Sequence, residues 1–182
     1  NNNNVDAYIP IDLDLLCRDD SFREQSIESI INLCHEGLDV LINNAAIQIL
    51  NPIRKFTVKD WTKSMNVNLN SVFILTKELL PKLKKTKGCV INISSIHAQL
   101  TKPDFCAYAT SKAGLVGLTK SLSVELGSKV RVNVITPAAI STPMLEAGFL
   151  KDHKARLNLD AFHPTGSLGA VADIVSASLY LS

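Results

Sequence analysis

The sequence predicts an α/β protein with a doubly wound parallel sheet in a single domain. Two observations favour this fold class. Apolar, β-branched runs alternate along the chain with segments of helical periodicity, as they do in successive βαβ units. The runs are continuously apolar, as expected for strands that helices cover on both faces. The predicted strands are residues 8–11, 39–42, 89–93 and 130–135, and the predicted helices are residues 21–35, 58–80, 107–126 and 171–181.

Two of the predicted helices begin with capping signatures. Ser21 precedes Glu24, and Thr57 precedes Asp60, so each start offers a capping oxygen and an acidic side chain in the first turn. In the helix 107–126, leucines recur at intervals of three and four residues and predict one apolar face that packs on the sheet or on another subunit. These leucines are Leu115, Leu118, Leu122 and Leu126.

The composition is that of an ordinary globular chain. Its 182 residues are 46% hydrophobic and 20% charged with a net charge of +2, so no broad basic field indicates a nucleic-acid partner. The densest basic run, residues 82–87, directly follows Pro81 at the predicted end of a helix, where cations oppose the negative end of the dipole. No apolar stretch approaches the roughly 18 residues of a membrane span. We therefore expect neither a nucleic-acid nor a membrane partner.

The cysteines and the first residues bear on compartment and domain bounds. The four cysteines show no Cys-x-x-Cys spacing, and Cys34-His35 has no second ligand pair at zinc-site spacing, so we expect reduced thiols and no metal site. The start of the sequence resembles neither a signal peptide nor a transit peptide, which favours the cytoplasm. Residues 1–4 are a low-complexity asparagine run that we expect to be disordered, and the predicted domain is residues 5–182.

Tyr108 and Lys112 are candidates for acid/base chemistry. They stand four residues apart on a predicted helix, which places both side chains on one face. A phenol with a pKa near 10 needs a fall of roughly three units to act near neutral pH, a difference of about 4 kcal/mol. A cation about 4 Å away, at an effective dielectric constant near 20, supplies about 4 kcal/mol. The pair alone is weak evidence, because the same spacing arises by chance on many exposed helices.

The order of the motifs before this pair makes it informative. Asn43-Asn44-Ala45-Ala46 follows a predicted strand, Val67-Asn68-Leu69 lies within a predicted helix, and Ser94-Ser95 ends the strand 89–93. Together with Tyr108-x-x-x-Lys112, this ordered set resembles the short-chain dehydrogenase/reductase family, in its simple dehydrogenase branch. The resemblance runs from about residue 8 to residue 182. It implies a Rossmann-like fold and an oxidoreductase that transfers a hydride between NAD or NADP and a secondary alcohol or ketone.

The resemblance implies a role for each of four catalytic residues. Tyr108 exchanges a proton with the substrate oxygen, and Lys112 lowers the pKa of Tyr108 and holds the ribose hydroxyls. Ser95 hydrogen-bonds the substrate oxygen as charge develops on it. Asn68 anchors a water molecule that links Lys112 to solvent. The expected substrate-binding residues are Ser95, His97 and Tyr108, with the segment 144–163 lining the same pocket.

A second set of residues is implied for the cofactor. Asp12 and Leu13 resemble the pair that contacts adenine, the turn after residue 43 resembles the one that approaches the adenine ribose, and the loop after residue 135 resembles the one that holds the nicotinamide amide. Ala138 stands where the family usually has glycine and tolerates fewer backbone conformations. The implied cofactor-binding residues are Asp12, Leu13, Asn43, Ala45, Ala46, Tyr108, Lys112, Pro137, Ala138, Ile140 and Thr142.

The resemblance also identifies segments that this sequence does not contain. Family members begin with a strand and a glycine-rich turn whose backbone N–H groups hold the pyrophosphate. None of the eight glycines lies in such a turn before the first predicted strand. We therefore expect a fold that lacks the first βαβ unit and the last strand, with open sheet edges and exposed apolar helix faces. Gly114 and Gly117 fall within the helix 107–126, where close helix packing explains them.

Three functions are compatible with these patterns. The first is the dehydrogenase just described, working as a homodimer or homotetramer built on the helices 58–80 and 107–126. The second is an inactive fragment or pseudoenzyme that acts only as an interaction partner of its relatives, which the missing glycine-rich turn favours. The third is epimerase or dehydratase chemistry with a retained cofactor, which the Asn-Asn-Ala-Ala turn and Asn68 favour less.

Overall fold

The computed structural model describes residues 7–34, 36–147, 149 and 158–182. Within them the helices are α1 (Leu13–Arg18), α2 (Asp20–Leu33), α3 (Val58–Met65), α4 (Ser71–Thr86), α5 (Cys106–Leu126), α6 (Pro143–Ala147) and α7 (Val171–Leu181). The strands are β1 (Val40–Asn43), β2 (Cys89–Ile93) and β3 (Arg131–Ile135). A π-turn, Asn66–Asn70, joins α3 to α4, and single 3-10 turns lie at Ile53–Lys55, Ile96–Ala98 and Asp160–Phe162. The asparagine run at residues 1–4, expected to be disordered, lies outside the described residues.

The three strands form one parallel sheet in the order β1-β2-β3. In this register Val40 lies beside Cys89, and Val90 lies beside Val132. Helices α4 and α5 pack on the sheet, and α7 contacts β2 and β3. The parallel α/β fold predicted from the sequence is confirmed. The main apolar core lies between β2, β3, α4 and α5 and consists of Leu83, Val90, Leu126, Val130 and Val132.

The strand predicted at residues 8–11 is wrong. This segment has no regular structure, and Tyr8 is exposed. A strand forms only where a neighbouring strand completes its hydrogen-bond ladder, and within the described residues none lies beside this run. The chain instead enters α1, a helix that the sequence analysis did not predict. Its N-cap is Asp12, whose carboxylate accepts hydrogen bonds from the backbone N–H groups of Asp14 (2.9 Å) and Leu15 (3.0 Å).

One of the two predicted helix caps is confirmed and the other is wrong. Thr57 and Asp60 form a capping box, since the N–H of Asp60 donates to Thr57 Oγ1 at 3.0 Å and the N–H of Thr57 donates to Asp60 Oδ2 at 3.3 Å. At the start of α2, however, Asp19 is the cap, and its carboxylate accepts from the N–H of Phe22 at 2.9 Å. Ser21 lies inside the first turn, because the helix begins at Asp20 with Asp19 as its cap.

The helix predicted at residues 58–80 continues to Thr86, with the π-turn between its two parts. Pro81 lies inside α4 and does not end it. A proline in a helix interior costs about 3 kcal/mol. Leu79 and Leu83 are fully buried on either side of it, and each contributes roughly 1.5–3 kcal/mol, so packing offsets this cost.

Only part of the leucine repeat of α5 is fully buried against the sheet of its own chain. Leu115 and Leu126 are buried, whereas Leu118 and Leu122 are half-buried.

Within the described residues β1 is an edge strand, and Ile42 on it is 49% exposed. This agrees with the expectation of an open sheet edge. No helix in the described part of the chain is both long and apolar enough to span a membrane.

Gly114 and Gly117 offer a matched test of helix packing on α5. A Cβ at Gly114 would lie 2.8 Å from Leu69 Cδ2, whereas a Cβ at Gly117 would meet nothing within 4 Å. Replacing glycine by alanine inside a helix stabilises by about 0.5–1 kcal/mol where space is free. Gly117→Ala should therefore raise the free energy of unfolding by this amount in urea denaturation. Gly114→Ala should gain less or lose stability, because Leu69 must move; equal gains in the two variants would contradict the close contact.

Candidate active site

The candidate site lies where the carboxyl ends of the three parallel strands meet. In open α/β sheets, ligands bind in the crevice outside these strand ends. Strand β2 continues directly into Ser94 and Ser95, and the N–H of Ser94 donates to Ile135 O, at the end of β3, at 2.8 Å. The N–H of Ile96 donates to Pro137 O, also at 2.8 Å. These two bonds fix the turn after β2 against the loop after β3.

Ser95 is held at the first residue of a tight turn. Its hydroxyl accepts a hydrogen bond from the N–H of His97 at 3.2 Å and so caps the 3-10 turn Ile96–Ala98. The neighbouring Ser94 hydroxyl donates to the backbone carbonyl of Lys112 at 2.8 Å, which ties α5 to the strand end. In the motif Ser94-Ser95, the first serine therefore anchors helix α5, and the second presents its hydroxyl at the end of β2.

Lys112 is a buried cation, 3% exposed. Its ammonium donates to the carbonyl of Ile93 at 2.7 Å and lies 5.8 Å from the centre of the Tyr108 ring. Burial lowers the pKa of Lys112 from 10.5 to about 8, because the charged form is poorly solvated there. The four-residue spacing therefore places both side chains on one face of α5, as predicted from the sequence.

Tyr108 is buried as well, and burial raises the pKa of its phenol above 10. The Ser95 hydroxyl acts in the opposite direction, because its hydrogen bond to the phenol favours the ionised form. At neutral pH the phenol of Tyr108 is therefore protonated in this structure. The lowering of its pKa by Lys112 stays a prediction.

Asn68 projects from the π-turn into the interior and is 1% exposed. Its amide oxygen accepts from the N–H of Ile47 at 2.9 Å, and its amide nitrogen donates to Ile47 O and to Ser111 Oγ, each at 3.0 Å. Ser111 Oγ in turn donates to the carbonyl of Tyr108 at 2.8 Å. Asn68 thus connects the loop after β1 to the helix of Tyr108. Both N–H donors of the Asn68 side-chain amide are thus used. A water molecule in the predicted relay would therefore be anchored by carbonyl oxygens.

A second buried chain of hydrogen bonds was not predicted from the sequence. Asn43 Nδ2 donates to Asn92 Oδ1 at 2.8 Å, Asn92 Nδ2 donates to Thr119 Oγ1 at 2.9 Å, and Thr119 Oγ1 donates to Leu115 O at 2.8 Å. The side chain of Asn43, expected to bind cofactor, therefore points into the protein and joins β1 to β2. An asparagine inside the apolar run of β2 was the signal, because a buried amide needs partners.

Most of the other residues expected at the cofactor lie on two loops, one after β1 and one after β3. Ala45 and Ala138 are exposed at the ends of β1 and β3, and Pro137 is bound to the Ser95 turn. Ile140 pairs with Gly169 in an isolated bridge, and Thr142 Oγ1 accepts from the N–H of Leu145 at 3.3 Å. The structure therefore joins the loop after β3 to the turn that holds Ser95, and the expected contact of this loop with the cofactor stays a prediction.

Asp12 and Leu13 start α1, which packs on the π-turn. Asn66 Nδ2 donates to Asp14 Oδ1 at 2.8 Å across this contact. The carboxylate of Asp12 is engaged as the cap of α1, so its expected contact with adenine stays a prediction. Ala46 is half-buried between β1 and Ile47.

His97, expected to bind substrate, packs against two aromatic rings beside the hydroxyls of Ser95 and Tyr108. Its ring centre lies 4.4 Å from that of Phe105 and 6.1 Å from that of Tyr108. Burial lowers the pKa of His97, and the Lys102 cation lowers it further, so the imidazole is neutral at neutral pH. Of the expected pocket segment 144–163, residues 148 and 150–157 lie outside the described residues.

A parallel α/β sheet with adjacent serine and tyrosine hydroxyls and a buried lysine at its carboxyl edge defines a Rossmann-like protein. A family model, described as short chain dehydrogenase, matches residues 2–152. The chain belongs to this family, as the ordered motifs predicted.

Individual relatives agree with this assignment. The chain is 35% identical over 149 residues to 3beta-hydroxysteroid dehydrogenase 1 of Eggerthella lenta, with 80% of this chain and 57% of the relative covered. It is 35% identical over 163 residues to the 3-oxoacyl-[acyl-carrier-protein] reductase FabG of Vibrio cholerae, with 87% and 66% covered. The chain therefore spans less than two thirds of the length of these two curated relatives.

Solved structures of similar fold include sugar dehydrogenases. The aldohexose dehydrogenase of Thermoplasma acidophilum superposes with a TM-score of 0.84 at 26% identity, covering 95% of this chain and 69% of that one. A putative NAD(P)-dependent gluconate 5-dehydrogenase from Beutenbergia cavernae, solved with bound NADP, superposes with a TM-score of 0.83 at 26% identity, covering 96% and 68%. This chain therefore covers about two thirds of the length of each of these solved chains.

The buried Lys112 makes stability depend on pH in a predictable direction. Its pKa of about 8 in the folded chain lies below its ordinary 10.5, so between these values the unfolded chain binds more protons and folding stability rises with pH. Below pH 8 the protonated ammonium destabilises the fold. Lys112→Met should therefore be more stable than the wild type by about 2 kcal/mol at pH 7, after allowance for the lost bond to Ile93. The advantage should shrink between pH 8 and pH 10.5.

The measurement is the free energy of unfolding in urea across this pH range, compared between variant and wild type. Lys120→Met, which removes an exposed lysine from the same helix, serves as the control and should show no such pH-dependent difference. A Lys112→Met variant that is less stable than the wild type at pH 7 would show that the ammonium is well solvated or paired.

Proposed function

We propose that this chain forms the catalytic part of an NAD(P)-dependent dehydrogenase that interconverts a secondary alcohol and a ketone. One observation carries the proposal: the hydroxyls of Ser95 and Tyr108 lie together above the buried ammonium of Lys112, at the carboxyl edge of a parallel sheet. The comparisons support the reaction class, because the named relatives are dehydrogenases and a reductase.

The residues present fit a nicotinamide cofactor in two respects. Among the contacts of the described residues, Lys112 Nζ donates one hydrogen bond, to Ile93 O, so two of its three N–H donors remain for ligand hydroxyls. Ala45 and Ala138 are small and exposed at the ends of neighbouring loops, which allows a ligand to approach the backbone closely. Lys112 would hold the ribose, and the loop from Pro137 to Thr142 would hold the nicotinamide end. When bound, the cofactor supplies or accepts the hydride.

The proton chemistry belongs to this chain. In the direction of reduction, the protonated Tyr108 donates its proton to the substrate oxygen, and the raised pKa of its phenol keeps that proton available at neutral pH. Ser95 donates a hydrogen bond to the same oxygen and stabilises the negative charge that develops on it. Lys112 stabilises the resulting phenolate, and its position beneath the ring is suited to this task.

Asn68 contributes to positioning in this proposal. Through Ser111 it fixes the backbone of Tyr108, and through Ile47 it fixes the loop after β1. The expected water relay would have to begin at a carbonyl beside Asn68. Its role in proton transfer is therefore secondary to its role in holding two sides of the site together.

Assembly and compartment are part of the proposal. We place a homodimer or homotetramer interface on α4 and α5, where Phe73 and Val124 are exposed apolar residues on the outer helix faces. The partners are thus a small alcohol or ketone and further copies of the chain, and the compartment is the cytoplasm. Either NAD or NADP serves as cofactor.

The decisive variant is Tyr108→Phe, which removes the acid/base hydroxyl and leaves the ring in its aromatic packing. Carbonyl reduction with NADH or NADPH should fall by at least two orders of magnitude, because general acid catalysis contributes roughly 10²- to 10⁴-fold. The matched control is Tyr180→Phe, which removes a phenol from the exposed face of α7 and should leave turnover unchanged.

The same experiment separates the enzyme from an inactive interaction partner. A wild-type chain that reduces no ketone with either cofactor, and whose melting midpoint neither cofactor raises, would favour the inactive reading. Retained turnover in Tyr108→Phe, with circular dichroism equal to that of the wild type, would remove Tyr108 from the mechanism.

A further inference from the structure

Lys102 lies on the loop that connects the two catalytic hydroxyls. It follows Ser95 by seven residues and precedes Tyr108 by six. Asp104, near the end of this loop, adopts a left-handed backbone conformation with φ 71°, which returns the chain towards the start of α5. The loop therefore has both of its ends fixed at the catalytic centre, and Lys102 extends from its middle.

Aromatic rings fix the position of the Lys102 ammonium. It lies 4.7 Å from the centre of the Phe105 ring and 5.7 Å from that of Phe149. Cation–π contacts at these distances are worth about 0.5–1 kcal/mol each at exposed sites. The ammonium is therefore held between two rings while its N–H donors stay accessible, since Lys102 is exposed.

The same rings lead from Lys102 to the reacting hydroxyl. Phe105 contacts Tyr108 edge-to-face with ring centres 5.9 Å apart, and His97 packs on both rings. Two consecutive ring contacts therefore separate the cation from the catalytic phenol. A ligand whose reacting carbon lies at Tyr108 would cross this apolar platform with a chain of several carbons before it reached Lys102.

The structure shows no ion pair of Lys102 within the described ranges, and the platform beside it consists of uncharged rings with a neutral His97. A single ammonium matches the one negative charge of a carboxylate, whereas a phosphate group carries about 1.5 to 2 negative charges at neutral pH.

We propose that Lys102 is a specificity-determining residue that binds the carboxylate of a keto acid or hydroxy acid whose acid group lies several carbons from the reacting carbon. The inference rests on the proposed dehydrogenase function and narrows its substrate class. The half-buried ring of His97, which packs on the buried Phe105, contacts the intervening carbons, and Ser95 and Tyr108 act on the distant oxygen. Lys102 takes no part in hydride or proton transfer.

The test compares straight-chain keto acids with their methyl esters as substrates, with NADH and NADPH. The wild type should favour each acid of fitting length over its ester by roughly tenfold in kcat/KM, the size of one exposed charge-assisted hydrogen bond. Lys102→Gln should abolish this preference through a higher KM for the acids, with turnover of the esters unchanged. Lys120→Gln, on the exposed side of α5, should behave like the wild type.

The outcomes separate this inference from the proposed function. If the ratio of kcat/KM for acid and ester were the same in Lys102→Gln and in the wild type, the role of Lys102 would be overturned. The proposed dehydrogenase function would remain. If the wild type turned over neither set, the proposed function would fail, and binding of the same keto acids would decide the inference. A rise in melting midpoint that Lys102→Gln loses would support carboxylate binding, and the absence of a rise in the wild type would overturn it.

Discussion

The burial of the Lys112 ammonium against the end of β2 is the constraint on which the rest of the site depends. A cation that is 3% exposed is costly, and the low pKa of about 8 reflects this cost. The position is tolerated because the ammonium donates to Ile93 O and because Ser94 fixes the helix backbone at Lys112. Ile93 and Ser94 immediately precede Ser95. The hydrogen bonds that accommodate the cation therefore also set the distance between α5 and the turn that Ser95 caps.

Two buried polar chains extend this constraint to the rest of the sheet. Asn68 and Ser111 connect the π-turn and the loop after β1 to the carbonyl of Tyr108. Asn43 and Asn92 connect β1 and β2 to Thr119, further along α5. Helix α5 is therefore held at three levels by side chains with specific partners, and a shift of the helix would leave buried donors unsatisfied.

Sequence reasoning succeeded where the signal was local or ordered along the chain. The strands β2 and β3, the Thr57 capping box and the Tyr108–Lys112 face all follow from spacing and composition. It failed at residues 8–11, because a strand depends on a neighbour that no local pattern reveals, and at Ser21, because Asp19 caps the helix two residues earlier. The inward role of Asn43 was missed for a related reason: its partners Asn92 and Thr119 are distant in sequence and adjacent only in the folded chain.

The opposite pKa shifts of Tyr108 and Lys112 have one physical origin. Both groups are buried, and burial disfavours a charge, so the phenol holds its proton more tightly and the ammonium holds its proton less tightly. The two pKa values, which are similar in the free side chains, are thereby moved apart, and both groups carry a proton at neutral pH. In the proposed mechanism, transfer of the Tyr108 proton to a substrate would create a phenolate beside an ammonium, and in a low-dielectric site that pair is strongly attractive. The burial that holds Tyr108 protonated before reaction thus strengthens the charge pair that stabilises the site after it.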